Sequence, residues 1–279
     1  MLKNILLSFA FISLIALGAN AATYLQVQGP VNGTLYNHGT IFLGKLGPGQ
    51  SFYIQASPST DNASGSFVNV GWDQLTAVNL PQGWSSQSSP LYENPMKLKI
   101  TASPYAQYGT YNLTIVAINQ GNYSHLGNLT IYAYVNVTPD VFNLSVSPST
   151  VNMGVSQPTN LDVQINNTGI SDDPFILNIT GLPAWNFSDV VIASHDSVSS
   201  FVYPISAGEP GVYHLNFTAT SAPSPLITRS IPITVYAQAS LLNDYYATGQ
   251  GVVISPVIVE PAYSLMLFLS DIYRLFTKN

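Results

Sequence analysis

Apolar and polar residues alternate along two stretches of the chain, residues 109–115 and 211–217. Because successive side chains of a β-strand point to opposite faces, residues at every second position share one face. The apolar members of the first stretch are Tyr111, Leu113 and Ile115. The members that repeat the pattern 102 positions later are Tyr213, Leu215 and Phe217. Each stretch predicts a strand that begins at a turn glycine and covers a core.

The same spacing extends to other parts of the chain, which indicates that one β module occurs twice. The matched pairs are Leu80-Pro81 with Leu182-Pro183, Ile131 with Ile233, and Tyr134 with Tyr236. Further short alternating segments, separated by Gly/Pro turns, are typical of antiparallel β-sandwiches. We therefore predict an all-β fold with two tandem sandwiches over residues 22–138 and 139–237, with the boundary at Pro139.

The first 21 residues are typical of a secretory signal peptide. Lys3 supplies the positive charge, residues 5–17 form the apolar segment, and Ala19-Asn20-Ala21 is a small-residue cleavage site. The apolar segment is short for a spanning helix, although an uncleaved N-terminal anchor is the alternative. This segment predicts export from the cytosol.

The tail, residues 238–279, changes from strand-like alternation to helical spacing after Pro261. We predict a short C-terminal amphipathic helix over residues 261–277, with Asp271 and Arg274 on its polar side. It could lie in a membrane interface, dock on the second sandwich or a partner, or, less favourably, belong to a spanning segment that buries Glu260. The residues predicted to form its membrane- or partner-binding face are Leu265, Phe268, Leu269, Ile272, Leu275 and Phe276.

Charge is scarce: only 7% of residues are charged, and no lysine or arginine occurs between Lys99 and Arg229. A typical chain has about 25% charged residues. The gap excludes a basic nucleic-acid-binding surface over most of the chain. Two explanations of the low charge remain open, namely an acidic habitat and a surface that displays glycans instead of charges. The chain has no cysteine, so neither disulfides nor cysteine-ligated metals are available to it.

Eleven Asn-x-Ser/Thr sequons mark predicted N-glycosylation sites. A chain rich in Asn and Thr produces some sequons by chance, so we expect about half of them to be used. The alternative is a polar strand face without glycans. The sequon asparagines are Asn32, Asn62, Asn112, Asn122, Asn128, Asn136, Asn143, Asn166, Asn178, Asn186 and Asn216.

Few other residues suggest chemistry. Trp84 and Trp185 occupy matching places in the two modules and are expected in the two cores. Trp72 has no counterpart in the second module and is the candidate for stacking on a ligand. The alternative for Trp72 is packing beneath a loop. The pair His195-Asp196 is interpreted as a chance neighbour pair in a turn. Asp172-Asp173 follows a turn and could bind calcium weakly, but it lacks the spaced acidic ligands of a calcium loop. We expect no metal, no cofactor and no catalytic residue.

Leu182-Pro183-Ala184-Trp185, followed by Gly-x-Tyr-x-Leu and a final strand, resembles Ig-like modules of archaeal cell-surface and S-layer-associated glycoproteins. Similar modules are the cell-adhesion-related domain and the Ig-like domain appended to some α-galactosidases. The resemblance covers about residues 40–237. It implies an extracellular structural or adhesive role and no catalytic residues.

These features predict a non-enzymatic extracellular glycoprotein with a structural role in the cell envelope, held at the surface by its tail. Its expected partners are other envelope or S-layer proteins, possible further copies of itself, and the membrane surface. One alternative is an adhesin that binds a carbohydrate or protein through loops such as residues 57–73. Another is a filament subunit that donates the strand at residues 24–28 to its neighbour.

Overall fold

A computed structural model describes residues 23–60, 71–120, 127–183, 185 and 187–239, without the side chains of residues 59 and 60. The chain divides into two compact units, Met1–Thr138 and Pro139–Asn279, called here the first and second domains. The signal-like segment and the predicted tail helix lie outside the described residues. No helix in the described part of the chain has the length and apolar character needed to cross a membrane.

The first domain contains two sheets. One has the order β2-β1-β4-β7-β6 and the other β3-β9-β8-β5. Its strands are β1 (Thr23–Gly29), β2 (Gly33–Leu35), β3 (Thr40–Leu46), β4 (Ser51–Thr60), β5 (Gln74–Val78), β6 (Ser85–Gln87), β7 (Met96–Thr101), β8 (Gly109–Ile118) and β9 (Leu129–Val137).

The second domain also contains two sheets, in the orders β10-β12-β15 and β11-β17-β16-β13-β14. Its strands are β10 (Phe142–Ser147), β11 (Thr150–Gly154), β12 (Thr159–Asn167), β13 (Asp173–Thr180), β14 (Ser188–Ala193), β15 (Ser197–Ile205), β16 (Gly211–Ser221) and β17 (Thr228–Gln238). Every regular element of the described chain is thus a strand, which confirms the all-β prediction.

The alternation along the strands places one residue in two inside each domain. In β12, Leu161, Val163 and Ile165 are buried while the polar residues between them are exposed. Buried side chains of both sheets form one core in the second domain, where the rings of Phe142 and Phe175 lie 4.5 Å apart. Each fully buried large apolar side chain stabilises the fold by about 1.5–3 kcal/mol, so this core holds the domain together without disulfides.

Both domains have an Ig-like strand order. A short edge strand pairs in parallel with the last strand, β3 with β9 and β11 with β17, whereas the other neighbours are antiparallel. The sequence predicts the antiparallel sandwich but contains no signal for these parallel pairs, because they join strands that are distant along the chain. The strand order within the sheets defines an Ig-like β-sandwich in each domain.

The repeat spacing changes at the last strand of each domain. Ile131 lies opposite Ile115 in the first domain, whereas Ile231 lies opposite Phe217 in the second. By strand pairing, Ile131 therefore corresponds to Ile231, which lies 100 positions later and not 102. The predicted match of Ile131 with Ile233 is thus shifted by two residues. A shift of two residues keeps every side chain on its face, so Ile131 and Ile233 are both buried.

The repeated tyrosines close the turn before β8 and before β16. The Tyr111 hydroxyl donates to the Gln107 carbonyl and the Tyr213 hydroxyl to the Glu209 carbonyl, each at 2.9 Å. This hydrogen bond back to the preceding turn is the tyrosine corner of Ig-like sandwiches. The glycine-tyrosine repeat in the sequence therefore marks the same structural device in both domains.

Replacing either corner tyrosine with phenylalanine is expected to lower the free energy of unfolding of its domain by about 1 kcal/mol, because the turn carbonyl loses its donor. Tyr111→Phe and Tyr213→Phe should have similar effects in urea unfolding. Tyr105→Phe is the control, since that side chain is exposed. Equal stability of all three variants would contradict the structural role.

The strand predicted for donation is used inside its own domain. β1 pairs with β4 from Thr23 to Gly29 and with β2 on its other side. Leu25 and Val27 are buried in the core. Donation would remove these apolar side chains from the core of their own domain, so this pairing does not favour the filament interpretation based on residues 24–28.

Candidate functional site

Three loops at one end of the second domain form the candidate site. They follow β12 (residues 168–172), β14 (residues 194–196) and β16 (residues 222–227). Buried Asn167 joins the first two loops: its Nδ2 donates to the Ser171 carbonyl at 2.8 Å and to the Ala193 carbonyl at 3.0 Å. Its Oδ1 accepts from the Gly169 amide at 3.0 Å. All three hydrogen bonds are buried, which makes the loop end rigid.

A second buried polar group, the Asp173 carboxylate, connects the third loop to the first. Asp173 is buried and accepts a hydrogen bond from the Ser221 hydroxyl at 2.9 Å. The backbone of this loop is held by bonds between Ser221 and Ile227, in which the Ser221 amide donates at 2.9 Å, and between Ser224 and Ser221 at 3.2 Å. A buried carboxylate is costly unless it is hydrogen-bonded, so Asp173 serves the packing of the loop end.

Asp172 and His195 form the ionic contact of this loop end. The Asp172 carboxylate accepts from the His195 amide at 2.8 Å and lies 2.6 Å from the His195 ring Nδ1. Partial burial raises the pKa of Asp172, but the hydrogen bonds and the charge of His195 lower it more, and the net pKa is below its ordinary value. His195 thus pairs with Asp172 and not with its sequence neighbour Asp196.

The Asp172→Asn variant is expected to be less stable than the wild type at neutral pH by less than about 1 kcal/mol, because the pair is exposed. Since the pKa of Asp172 is lower in the folded state, its contribution is present above the unfolded value of about 3.9 and is lost as the pH falls through the folded pKa. Urea unfolding at neutral pH and at about pH 2 measures this difference.

Asp196→Asn is the matched control, since Asp196 lies in the same turn as His195 and its left-handed backbone suits asparagine. The remaining acidic neighbour, Asp173, is buried and is unchanged in both variants. A destabilisation by Asp172→Asn that persists at the lower pH would contradict the ionic role of the pair.

The geometry does not favour the weak calcium site considered for Asp172-Asp173. The Asp172 carboxylate points to His195, whereas that of Asp173 points inward to Ser221. Among the described residues there is no group of three His, Cys, Asp or Glu side chains that could hold a metal ion. The loop end is therefore a rigid protein surface with hydrogen-bonding groups at its rim.

The three tryptophans have packing roles. Trp72 is only 5% exposed, and its indole N–H donates to the Gly127 carbonyl at 3.1 Å. The ligand-stacking role predicted for Trp72 is therefore wrong, because the ring is covered; packing beneath a loop is the correct alternative. Trp84 is buried with its ring 5.2 Å from Tyr111, and Trp185 packs against the second core.

Most described sequon asparagines lie on the surface. Of the eleven, Asn62, Asn122 and Asn186 lie outside the described residues, and Asn136 is half-buried. In the strands, Asn and the hydroxyl residue two positions later share the outer face, while the residue between them points inward, as Leu113 does. The exposed sequon asparagines are Asn32, Asn112, Asn128, Asn143, Asn166, Asn178 and Asn216.

Sequence reasoning missed the buried polar residues that organise the loop end. Asn167 reads as part of a polar turn, and only its inward phase in β12 hints at burial. The contact between Asp172 and His195 joins residues 23 positions apart and leaves no local signal. The predicted membrane- or partner-binding face of the tail, residues 265–276, lies outside the described residues and stays a prediction.

No protein-family model and no curated protein matches the chain. Among solved structures, a chimeric titin Z1Z2 carrying a decorin peptide is 14% identical, with 79% of this chain and 100% of that chain covered and a TM-score of 0.35. The fibronectin(III)-like modules of Clostridium thermocellum CbhA are 13% identical, with 77% and 94% covered and a TM-score of 0.26.

The D00-D0 domain of intimin is likewise 13% identical, with 76% of this chain and 96% of that chain covered and a TM-score of 0.26. These identities and TM-scores support no argument about function. The strand order of the two domains assigns the chain to the Ig-like β-sandwich architecture.

Proposed function

We propose that this protein is a non-enzymatic glycoprotein of the cell envelope, with two Ig-like domains displayed outside the cell and the tail, residues 238–279, attaching them to the surface. Its partners are other envelope or S-layer proteins and the membrane surface, and it needs no cofactor. The signal-like N-terminus and the scarcity of charged residues support this proposal.

The placement of the sequons carries the proposal. Each sequon within a strand brackets an inward residue, such as Leu113, Ile179 or Phe217, which are buried. Because these residues are anchored in the core, the asparagine and the hydroxyl residue on either side are held on the outer face. An oligosaccharide attached there projects into solvent without disturbing the sheet. Glycans on such positions also supply the solubility that charged side chains supply elsewhere.

Intact-mass spectrometry of the protein isolated from the cells that make it tests this proposal. We expect added mass, with glycopeptides at several of the seven exposed sequons and at neither Asn37 nor Asn160, which are exposed but lie outside sequons. Asn112→Gln and Asn216→Gln should each remove one glycan. The bare polypeptide mass would overturn the glycoprotein assignment.

Deletion of residues 251–279 tests the attachment. We expect the truncated protein to leave the cell and to keep its folded domains, because the deleted segment follows β17, the last of the described strands. Hydrogen exchange of the β16 and β17 amides is the control for folding. Retention of the folded, truncated protein on the cell would contradict anchoring by the tail.

A further inference from the structure

Among the described residues, strand β14 is paired on one side only. It is the terminal strand of the five-stranded sheet in the second domain and pairs with β13 from Asp173–Ala193 to Asn178–Ser188. The backbone groups on its other side face away from the sheet. Such an edge is a template on which another strand can add.

The outer face of β14 is apolar. Val190 is 60% exposed and Ile192 is 67% exposed, and Ile176 on β13 lies directly opposite Val190. Two other edges are protected: β3 has a bulge between Phe42 and Gly44, and β15 contains a proline. β14 has neither a bulge nor a proline, and its sequence favours strand pairing.

Asp189 is the protection that β14 does have. Its side chain alternates with those of Val190 and Ile192, so it points inward, where it is half-buried. Its carboxylate accepts the Val190 amide hydrogen at 2.8 Å. Burial raises the pKa of the nearby Tyr203 phenol to about 12, and the charge of Asp189 adds to this rise. An inward-pointing charge is one of the ways in which edge strands resist pairing.

We propose that β14 pairs antiparallel with β14 of a second copy of this chain, and that Asp189 limits this pairing. With the two-fold axis at Val191, Val190 lies opposite Ile192 of the second copy. By symmetry, Ile192 lies opposite Val190 of the second copy. Opposite residues of an antiparallel pair share a face, so four aliphatic side chains form one outer stripe that continues to Ile176. The strand is thus its own complement.

Charge does not oppose a second copy as the occupant. In this register Asp189 lies opposite Ala193 of the second copy, and the two Asp189 carboxylates are about 13 Å apart along the strands. This separation exceeds the screening length of about 10 Å at 0.1 M salt, so the repulsion between them is weak. Asp189 is the one charged residue of β14, so the paired strands bring no other charges together.

Disulfide trapping tests the register directly, because the chain has no cysteine of its own. The full chain is prepared without glycans as two variants, Val190→Cys and Ile192→Cys. When the two are mixed and oxidised we expect a crosslinked dimer, since opposite residues lie about 5.5 Å apart between Cα atoms. Each variant alone should crosslink less, because its own cysteines are then diagonal neighbours about 7–8 Å apart.

Sedimentation measures the association itself. We expect Ile192→Lys to weaken dimerisation about tenfold or more, and Asp189→Ala to strengthen it about threefold to tenfold, the equivalent of one hydrogen bond. Val202→Lys is the matched control, since Val202 is 58% exposed on β15 of the other sheet. Hydrogen exchange of β13 confirms that each variant is folded.

Three results would overturn the proposal. One is a wild type that stays monomeric at its highest soluble concentration. Another is a mixture of cysteine variants that crosslinks no better than each variant alone. The third is a dimer that is weakened equally by Ile192→Lys and Val202→Lys. None of these outcomes bears on glycosylation or surface attachment, which are tested by mass and by release from the cell.

Discussion

Replacing Gly181 with alanine is expected to destabilise the second domain by about 3 kcal/mol or more, because two penalties add. Gly181 has a φ of +97°, a conformation that side-chain-bearing residues rarely adopt. A Cβ atom at this position would lie 2.6 Å from the His214 carbonyl oxygen, which belongs to the backbone of β16 and cannot move without disturbing the sheet. The substitution therefore strains the turn after β13 and separates it from β16.

Two further glycines serve as controls for this prediction. Gly208→Ala meets no atom within 4 Å and has an ordinary backbone conformation, so its effect should be within about 0.5 kcal/mol. Gly109→Ala in the first domain has a φ of +143° but no contact within 4 Å, so it isolates the backbone penalty.

Urea unfolding gives the change in free energy, and hydrogen exchange of the β13 and β16 amides locates it. We expect the largest increase in exchange at these two strands in Gly181→Ala. Equal stability of Gly181→Ala and Gly208→Ala would show that β16 can yield, and would contradict the close packing described for this turn.

The second large effect is expected for Asn167→Ala, at about 3 kcal/mol. The substitution removes two buried donors and one buried acceptor at once, and it leaves the carbonyls of Ser171 and Ala193 without the side-chain donor that now reaches them. Since each buried group that loses its partner costs about 1–3 kcal/mol, the loop after β12 should detach from the start of the turn after β14.

The neighbouring asparagine is the control. Asn166→Ala, made in protein without glycans, should change stability by less than about 0.5 kcal/mol, because Asn166 is exposed on the same strand. The unfolding free energy of both variants is measured in urea. If Asn167→Ala were as stable as Asn166→Ala, water would have replaced the side chain and the loop end would not be rigid.

The strands could be predicted from the sequence because each has a local signal. In each domain the two sheets cover each other on one face only. The buried residues of β12 and β16 therefore alternate with more exposed, mostly polar residues. The repeat of Tyr111 and Tyr213 could be recognised in the sequence for the same reason. The glycine before each tyrosine and the apolar residues after it lie within a few positions. Alternation and turn glycines are properties of neighbouring residues.

The candidate site was less predictable. Trp72 looked like an exposed aromatic because it lacks a counterpart in the second repeat, yet its indole is held by the Gly127 carbonyl, 55 residues away. The partner of His195 was likewise outside its own turn. Contacts of this kind depend on which loops the fold brings to the same end of a domain, and no window of sequence contains that information.

The amino-acid sequence by itself determined the strand-forming character of the chain, the inward face of its alternating strands, the repeated glycine-tyrosine pattern and the positions of the sequons. The tertiary structure alone decided the parallel pairing of β3 with β9 and of β11 with β17, the burial of Trp72, and the openness of β14. The physical reason is range: side-chain alternation acts between adjacent residues, whereas edge strands and loop contacts are set by chain segments that meet only when both sheets close over their core.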